Sequence, residues 1–430
     1  MSRLVLRGAR VPGDIAITDG TITAIGIVDA ELDDTVLTID GDLVTAGLVN
    51  THHHLYQWMT RGRAVGCDLF SWLVELYPVW GRLSVDDVRA AALVGLTELA
   101  ATGCTSAADH HYLVPHGDDA VFDAIVDAAR QVGIRLHLSR GSMDLGQSKG
   151  GLPPDHVVED LDAILASTES VIARHHDGDM VHVVVAPCSP FSVSSELMVQ
   201  SAELARHHGL HMHTHLCETI DEQEHCLERF GRRPVDVLED WGWLGDDVWL
   251  AHGIHLDADE VDRLGQVGTG VAHCPSSNAR LAAGMCRFTD LRRADAPVGL
   301  GVDGVASNEV GGLFPELRQA LYTARLREGQ ADAFMPADSV EIATRGGADC
   351  VGATTLGRLE VGAPADLAVW PGDDLGDVPD PIAGLVMGPD RRVRHLLVAG
   401  RPVITDGELV GVDRRAAFAD LAARAQRLWD

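Results

Sequence analysis

Histidine and acidic side chains recur at long intervals in this chain, and each ends or closely follows a short apolar run. The set comprises His52, His54, His215, Glu218, His252 and Asp303. Imidazole and carboxylate groups are the ligands of catalytic zinc and iron sites, which keep one coordination position open for water. A metal in such a site acidifies that water. The pattern therefore predicts a metal-dependent hydrolytic centre.

The apolar runs alternate with helical segments between residues 50 and 345. We identify eight strand ends, in chain order: His52–His54, Thr105–His110, Arg135–Arg140, His182–Pro187, Leu210–His215, Val248–His252, Gly270–Cys274 and Pro297–Asp303. Strands that alternate with helices predict parallel βα units, and eight such units fit a closed (β/α)8 TIM barrel. Because chemistry in these barrels collects at the carboxyl ends of the strands, the spaced residues are expected to meet there.

Both ends of the chain are rich in β-strand signals. A first strand is predicted over Ser2–Arg7, and a hairpin over Asp14–Gly26 turns at an Asp-Gly pair. Strand candidates return at Ala365–Trp370 and beyond, before a terminal helix over Asp413–Asp430. We therefore predict a small β-sandwich domain built from residues 1–49 and 346–430, flanking a barrel over residues 50–345.

Composition narrows the partners and the location. The chain of 430 residues is 46% hydrophobic and has a formal charge of −30, which argues against nucleic-acid and anionic-membrane partners. Its eight cysteines form no C-x-x-C pair, which is typical of reduced thiols. No apolar stretch approaches the length of a signal-peptide core or of a membrane span. We predict a cytoplasmic protein that acts on a small molecule.

Position along the strands selects the metal ligands. His52 and His54 are two residues apart on an extended segment, so both rings face one side and can reach one metal. His215 is the third candidate because it stands at the carboxyl end of its strand. His211 and His213 alternate onto the same face and remain alternatives on periodicity alone.

The remaining candidates carry acid–base roles. Asp303 can both ligate the metal and accept a proton from water, and His252 can orient that water. Glu218 lies three residues after His215 and can shuttle protons beside the metal. The only lysine is Lys149, in an irregular loop, so no carboxylated lysine is available to bridge two metals. We predict one zinc per chain, with iron as the alternative.

Several local motifs resemble those of a known family. They are His-x-His at 52–54, His-x-x-Glu at 215–218, Ala-His at 251–252, His-Cys-Pro-Ser-Ser-Asn at 273–278 and Asp-Gly-x-Ala-Ser-Asn at 303–308. In this order they resemble the amidohydrolase superfamily in its cytosine deaminase-like branch, over essentially the whole chain. The resemblance implies that His52, His54, His215 and Asp303 are the metal ligands. It also implies catalytic roles for Glu218, His252 and Asp303.

More specific sequence segments, such as Asn50–Gln57 and Ala108–Leu113, resemble those of the 8-oxoguanine deaminases of that branch. This resemblance implies hydrolytic deamination of an aminopurine, most simply of 8-oxoguanine to urate and ammonia. The alternatives are deamination of isoxanthopterin or guanine, and removal of chloride or alkylamine from triazines. Homo-oligomerisation is implied only by analogy. The candidates for substrate binding are Gln57, Tyr112, Arg140 and Ser189.

Overall fold

A computed structural model describes residues 3–429, and the strands of this part form three sheets. The strands are β1 (Leu4–Arg7), β2 (Asp14–Thr18), β3 (Thr21–Gly26), β4 (Thr35–Thr38), β5 (Leu43–Ala46), β6 (Leu48–Asn50), β7 (Cys104–His111), β8 (Arg135–Ser142), β9 (Val181–Pro187), β10 (Met212–Leu216), β11 (Val248–His252), β12 (Gly270–His273), β13 (Val298–Leu300), β14 (Leu367–Trp370), β15 (His395–Val398), β16 (Arg401–Thr405) and β17 (Glu408–Leu409).

Helices separate the strands of the central sheet. They are α1 (Leu69–Trp80), α2 (Val85–Ala101), α3 (Ala120–Val132), α4 (Leu161–His175), α5 (Ser195–His207), α6 (Ile220–Phe230), α7 (Pro234–Asp240), α8 (Ala258–Val267), α9 (Pro275–Arg280), α10 (Phe288–Arg293), α11 (Phe314–Glu328), α12 (Pro336–Ala343), α13 (Arg345–Cys350), α14 (Pro381–Met387) and α15 (Arg414–Trp429). Across the described residues, none of these helices combines the length and apolarity needed to cross a membrane.

The central sheet is the predicted (β/α)8 barrel. Strands β6 to β13 pair in chain order, and the ladders between them are parallel. The N–H of Thr51 donates to the carbonyl of Leu300 at 2.9 Å, which joins the first strand to the last. Alternate residues face inward. In β10, for example, Met212 and Leu216 pack in the outer core, while His213 and His215 face the barrel axis.

The first and last barrel strands are shorter than predicted. Both β6 and β13 end before the functional residues, so His52, His54 and Asp303 lie just beyond strands rather than in them. The side chain of Asn50 accepts the N–H of Val302 at 2.9 Å. A side-chain acceptor thus replaces a ladder hydrogen bond here, and the following residues leave the regular strand geometry.

The predicted β-sandwich from both chain ends is confirmed. One sheet has the order β3-β2-β1-β4, and the other joins β5 to the C-terminal strands in the order β17-β16-β15-β14-β5. A common core lies between them and includes Leu6, Ile17, Val44, Leu367 and Leu397. The exact domain boundaries, at residues 49/50 and 345/346, stay a prediction. Ser2 and Asp430, the outer ends of the predicted first strand and last helix, lie outside the described residues.

A buried carboxyl group in β7 holds the segment that follows the first barrel strand. Oδ1 of Asp109 accepts the N–H of Leu55 at 2.8 Å, at the start of a 3-10 turn over Leu55–Thr60. Burial raises the pKa of Asp109 to about 7, although the Leu55 N–H opposes this shift. Because the folded pKa exceeds the unfolded value, Asp109 stabilises the fold fully at low pH, and this contribution is lost as pH rises towards 7.

We predict that Asp109→Asn removes a pH-dependent part of the stability. Asparagine keeps an oxygen acceptor for Leu55 but does not ionise. Between pH 4 and 7 the unfolding free energy of the wild type should fall relative to the variant by up to about 4 kcal/mol. Urea titrations at several pH values measure this, with the exposed Asp86→Asn as a control for loss of one charge. Parallel pH profiles for wild type and Asp109→Asn would contradict the prediction.

Candidate active site

Four potential metal-ligand side chains, at or just beyond the ends of three barrel strands, converge at the carboxyl end of the barrel. Nε2 of His54 lies 3.1 Å from Nε2 of His215. Oδ1 of Asp303 lies 3.5 Å from Nε2 of His52 and 3.4 Å from Nε2 of His54. All four side chains are buried. The structure therefore brings together the four residues predicted to hold the metal.

The other ring nitrogen of each histidine points away from this centre and has a hydrogen-bond partner. Nδ1 of His54 donates to the carbonyl of His110, and Nδ1 of His215 to that of Cys188, both at 2.7 Å. Since a carbonyl only accepts, each Nδ1 carries the proton. The Nε2 lone pairs of both rings therefore face the shared centre.

His52 is oriented by a second histidine. Its Nδ1 donates to Nε2 of His213 at 2.8 Å, and Nδ1 of His213 donates in turn to the carbonyl of Trp249 at 2.8 Å. The indole of Trp249 stacks beneath His213 at a ring separation of 4.5 Å. The terminal carbonyl fixes the proton positions along this chain, so the lone pair of His52 Nε2 also faces the centre.

These donors fit a divalent transition metal. Nε2 of His52 is buried and has no hydrogen-bond partner in the described structure. The ligand atoms of His52, His54 and His215 lie within 4.8 Å of one another. Burial lowers the pKa of all three imidazoles, which leaves them neutral and able to ligate. Three histidines and one carboxylate form a ligand set typical of zinc.

A second set of histidines, His52 with His110 and His213, also lies within 4.8 Å. Its lone pairs are less available. Nε2 of His213 already accepts from His52, and Nε2 of His110 donates to the carbonyl of Ala186 at 2.9 Å. Apart from Nε2 of His52, which faces the first set, Nδ1 of His110 is the only ring nitrogen of this set that has no partner in the described structure. This set therefore supports the first one rather than forming a separate metal site.

Asp303 occupies a constrained position. Its φ is +62°, in the left-handed region that residues other than glycine rarely adopt. Its Oδ2 accepts from the hydroxyls of Ser277 at 2.5 Å and Ser307 at 3.2 Å. Burial raises the pKa of Asp303, but the neighbouring histidines lower it by more. The net pKa lies well below the usual range, and Asp303 is ionised.

Glu218 and His252 form a pair beside the metal ligands. Oε1 of Glu218 lies 3.7 Å from Nε2 of His252, whose Nδ1 donates to Oδ1 of Asn278 at 3.0 Å. Burial raises the pKa of Glu218 to about 7. Burial lowers the pKa of His252, yet the charges of Glu218 and Asp303 raise it to a value above the usual one. Both groups can therefore exchange protons near neutral pH.

A cavity opens onto these groups. Most of its wall is apolar or aromatic and comprises Leu69, Trp72, Leu73, Tyr77, Phe191 and Leu281. The predicted residues Gln57, Tyr112 and Ser189 also line it. Oε1 of Gln57 accepts the N–H of Ala306 at 3.3 Å, whereas its Nε2 is buried without a partner in the described chain. That amide is free to donate to a ligand.

Arg140, the fourth predicted binding residue, lies elsewhere. It shares a strand face with Leu136 and Leu138, which pack outward against the helices. Its guanidinium forms a fork on Glu159 at 2.7 and 2.9 Å and lies over the ring of Phe122. Arg140 is therefore a buried structural ion pair between β8 and the helical layer, and it does not line the cavity.

The sequence pattern did not predict which groups orient the candidate ligands and catalytic side chains. They are His213, Asn278, Ser277, Ser307 and the carbonyl groups of His110, Cys188 and Trp249. His213 had a signal, since it shares the inward parity of His215 one step nearer the middle of the barrel. The two serines and the asparagine lie in motifs that were quoted for the resemblance. Nothing in the sequence signals the carbonyl groups.

The chain is similar to known proteins over almost its whole length. The Amidohydrolase family model matches residues 43–403. The chain is 45% identical to an 8-oxoguanine deaminase of Pseudomonas aeruginosa, covering 98% of this chain and 96% of that protein. It is 37% identical to an isoxanthopterin deaminase of an unknown prokaryotic organism, covering 98% and 92%. The zinc complex of atrazine chlorohydrolase TrzN from Arthrobacter aurescens TC1 matches with a TM-score of 0.92, at 29% identity and coverage of 98% and 100%.

The fold and the site together define a metal-dependent hydrolase of the (β/α)8 barrel class. The chain belongs to the amidohydrolase family. This confirms the resemblance inferred from the sequence motifs and the expectation that the protein is an enzyme.

We predict that His213→Ala weakens metal binding although it removes no ligand. Without the acceptor on Nδ1, His52 loses its fixed tautomer and orientation, and metal affinity should fall about 10- to 100-fold. Competition with a chromophoric chelator measures this affinity. His137→Ala is the matched control, because His137 is a buried barrel histidine for which the described structure gives no contact with a ligand residue. Equal metal affinity in the His213 and His137 variants would refute the role of His213.

Proposed function

We propose that the protein is a zinc-dependent hydrolytic deaminase of an aminopurine, with 8-oxoguanine as its substrate and urate and ammonia as products. The observation that carries the proposal is the pairing of the metal-type ligand set with Glu218 and His252 at the end of an aromatic cavity. The relative that is 45% identical over nearly the whole chain is named as an 8-oxoguanine deaminase, which supports the choice of ring.

His52, His54, His215 and Asp303 would hold the zinc. When bound, the metal supplies Lewis acidity, which lowers the pKa of water towards about 7 and makes a nucleophile available at neutral pH. One zinc per chain, with iron as the alternative, follows from a single ligand set and from the absence of any lysine except Lys149. A zinc-bound structure of a relative supports this assignment.

Side chains of the protein then accept and donate the protons of the reaction. Asp303 and His252 take and hold the proton of the attacking water, whose oxygen bonds to the ring carbon that carries the amine. Burial raises the pKa of Glu218 to about 7, so a protonated fraction of Glu218 exists near neutral pH and donates to the adjacent ring nitrogen. The proton held by the protein returns to the amine, the C–N bond breaks, and ammonia leaves. The new hydroxyl group then gives its proton to Glu218 as the ring carbonyl forms, which restores the acid. An amine departs only when protonated, so this relay is as necessary as the metal.

Substrate recognition is proposed for three of the cavity residues. Oxidised purines carry ring carbonyl groups, which the free Nε2 amide of Gln57 can bind. The hydroxyls of Tyr112 and Ser189 offer further donors on the same wall. Trp72 and Tyr77 supply aromatic faces against which a planar bicyclic ring can pack. Arg140 is left out of this assignment because its donors are engaged by Glu159.

A pterin or triazine substrate is the second candidate, because relatives named for isoxanthopterin deamination and atrazine dechlorination share the fold. The ionised Asp303 favours deamination, since proton return to the amine needs a base beside the metal. A cytoplasmic location, the absence of nucleic-acid and membrane partners, and homo-oligomerisation stay predictions.

We predict that the zinc-loaded protein releases ammonia from 8-oxoguanine in preference to guanine, isoxanthopterin and a chlorotriazine. The expected kcat/KM advantage is at least about tenfold, because a ring that leaves buried donors unpaired loses transition-state binding. A coupled ammonia assay, with a chloride assay for the triazine, measures all four. Preference for another ring would support the proposed catalytic site but contradict the proposed purine substrate. No activity on any of the four compounds, from protein with one metal per chain, would overturn the deaminase assignment.

We also predict that Glu218→Gln abolishes turnover and retains the metal. The amide matches the carboxyl group in shape but cannot transfer a proton to the ring, so kcat should fall by about 10³-fold or more. Metal content and substrate Kd serve as checks that the site is intact. The exposed Glu196→Gln is the control for loss of a carboxylate. A Glu218→Gln variant with normal kcat would exclude Glu218 as the acid.

A further inference from the structure

Glu222 is a fully buried carboxyl group four residues after Glu218, in the first turn of α6. Both of its oxygens accept backbone N–H groups. Oε1 accepts from Cys217 at 3.0 Å, and Oε2 accepts from Glu218 itself at 3.1 Å. Glu222 therefore binds the main chain at the residue that carries the proposed catalytic acid.

This arrangement departs from ordinary helix capping. An acidic residue at the third helical position usually returns to the N–H of the N-cap residue, as Asp87 does in α2 and Glu260 does in α8. In α6 the N-cap Thr219 accepts the N–H of Glu222 at 3.3 Å, but the carboxyl group reaches past Thr219. Its two oxygens serve the preceding residues instead. Helix capping alone does not account for this geometry.

The segment that Glu222 holds is strained and shared with the catalytic histidine. Cys217 has a φ of +55°, in the left-handed region. Its carbonyl accepts the N–H groups of Ile254 and His255, both at 2.9 Å, in the loop that follows His252. The segment is thus clamped between Glu222 on one side and the His252 loop on the other. Oε1 of Glu218, at one end of this segment, lies 3.7 Å from Nε2 of His252.

Stability alone does not favour a carboxyl group at this place. Within residues 3–429 the structure gives Glu222 no ion pair, and burial raises its pKa to about 7 even though two N–H groups oppose this. A buried carboxyl without a counter-charge is costly, and an apolar or amide side chain of similar volume avoids that cost. The position is therefore better explained by a role in the site.

We propose that Glu222 is the positioning residue for Glu218. By accepting the N–H groups of Cys217 and Glu218, it holds the left-handed turn that directs the Glu218 carboxyl group towards His252 and the cavity. The inference rests on the proposed function of Glu218 as the acid of the deamination.

The test compares Glu222→Gln and Glu222→Asp with the wild type. Glutamine keeps the size but turns an NH₂ group towards one N–H, and aspartate keeps the charge but is too short to reach both. In each variant kcat should fall about 10- to 100-fold, because a displaced catalytic group loses its alignment. KM and metal content should stay within about twofold, since the metal ligands are untouched. Asp87→Asn is the control and should lower Tm without changing kcat, because it removes a buried acidic residue at the same helical position of α2.

Amide hydrogen exchange gives a readout independent of activity. The N–H groups of Cys217 and Glu218 should be protected in the wild type and exchange at least about tenfold faster in Glu222→Gln. Normal kcat with only a lower Tm, or metal loss in parallel with kcat, would overturn the proposal. If the wild type deaminates none of the tested rings, the proposed function fails, whereas unchanged exchange in Glu222→Gln refutes the clamp itself.

Discussion

The candidate site depends on the hydrogen bonds that the three proposed ligand histidines make away from their shared centre. His54 and His215 donate to carbonyl groups at the ends of neighbouring barrel strands, and His52 donates through His213 to the carbonyl of Trp249. Ladder pairing places these carbonyls, so barrel register determines which ring nitrogen carries the proton. Burial then keeps the rings neutral. The fold thereby converts a pattern of parallel strands into three lone pairs that face one centre.

The same region stores backbone strain. Cys217, His252 and Asp303 all have φ between +55° and +76°, and each stands where a barrel strand gives way to its loop. Such residues cost roughly 1–3 kcal/mol each, so surrounding contacts must hold them. Asp303 has the hydroxyls of two serines, and Cys217 has hydrogen bonds on both sides.

Sequence periodicity predicted the barrel and the convergence of the candidate ligands because strand ends and inward parity are local properties. The strand boundaries were predicted less accurately where a side chain replaces a ladder hydrogen bond. The first strand ends early at Asn50 because its side chain accepts the N–H of Val302, a tertiary hydrogen bond that no local pattern reveals. Arg140 was misassigned although its parity with Leu136 and Leu138 was visible. Thr219 and Glu222 have the spacing of a helix capping box, and only the structure shows which N–H groups Glu222 accepts.

Two carboxyl groups face one cavity, and their pKa values are shifted in opposite directions. Burial raises the pKa of Asp303, but the neighbouring histidines lower it by more, so the net pKa lies well below the usual range. For Glu218 burial dominates, and its pKa rises to about 7. Groups whose environments drive their pKa values apart can act as base and acid in one turnover. The two environments therefore support the proposed roles of Asp303 as base and Glu218 as acid, and the proposed backbone clamp on Glu218 preserves that division.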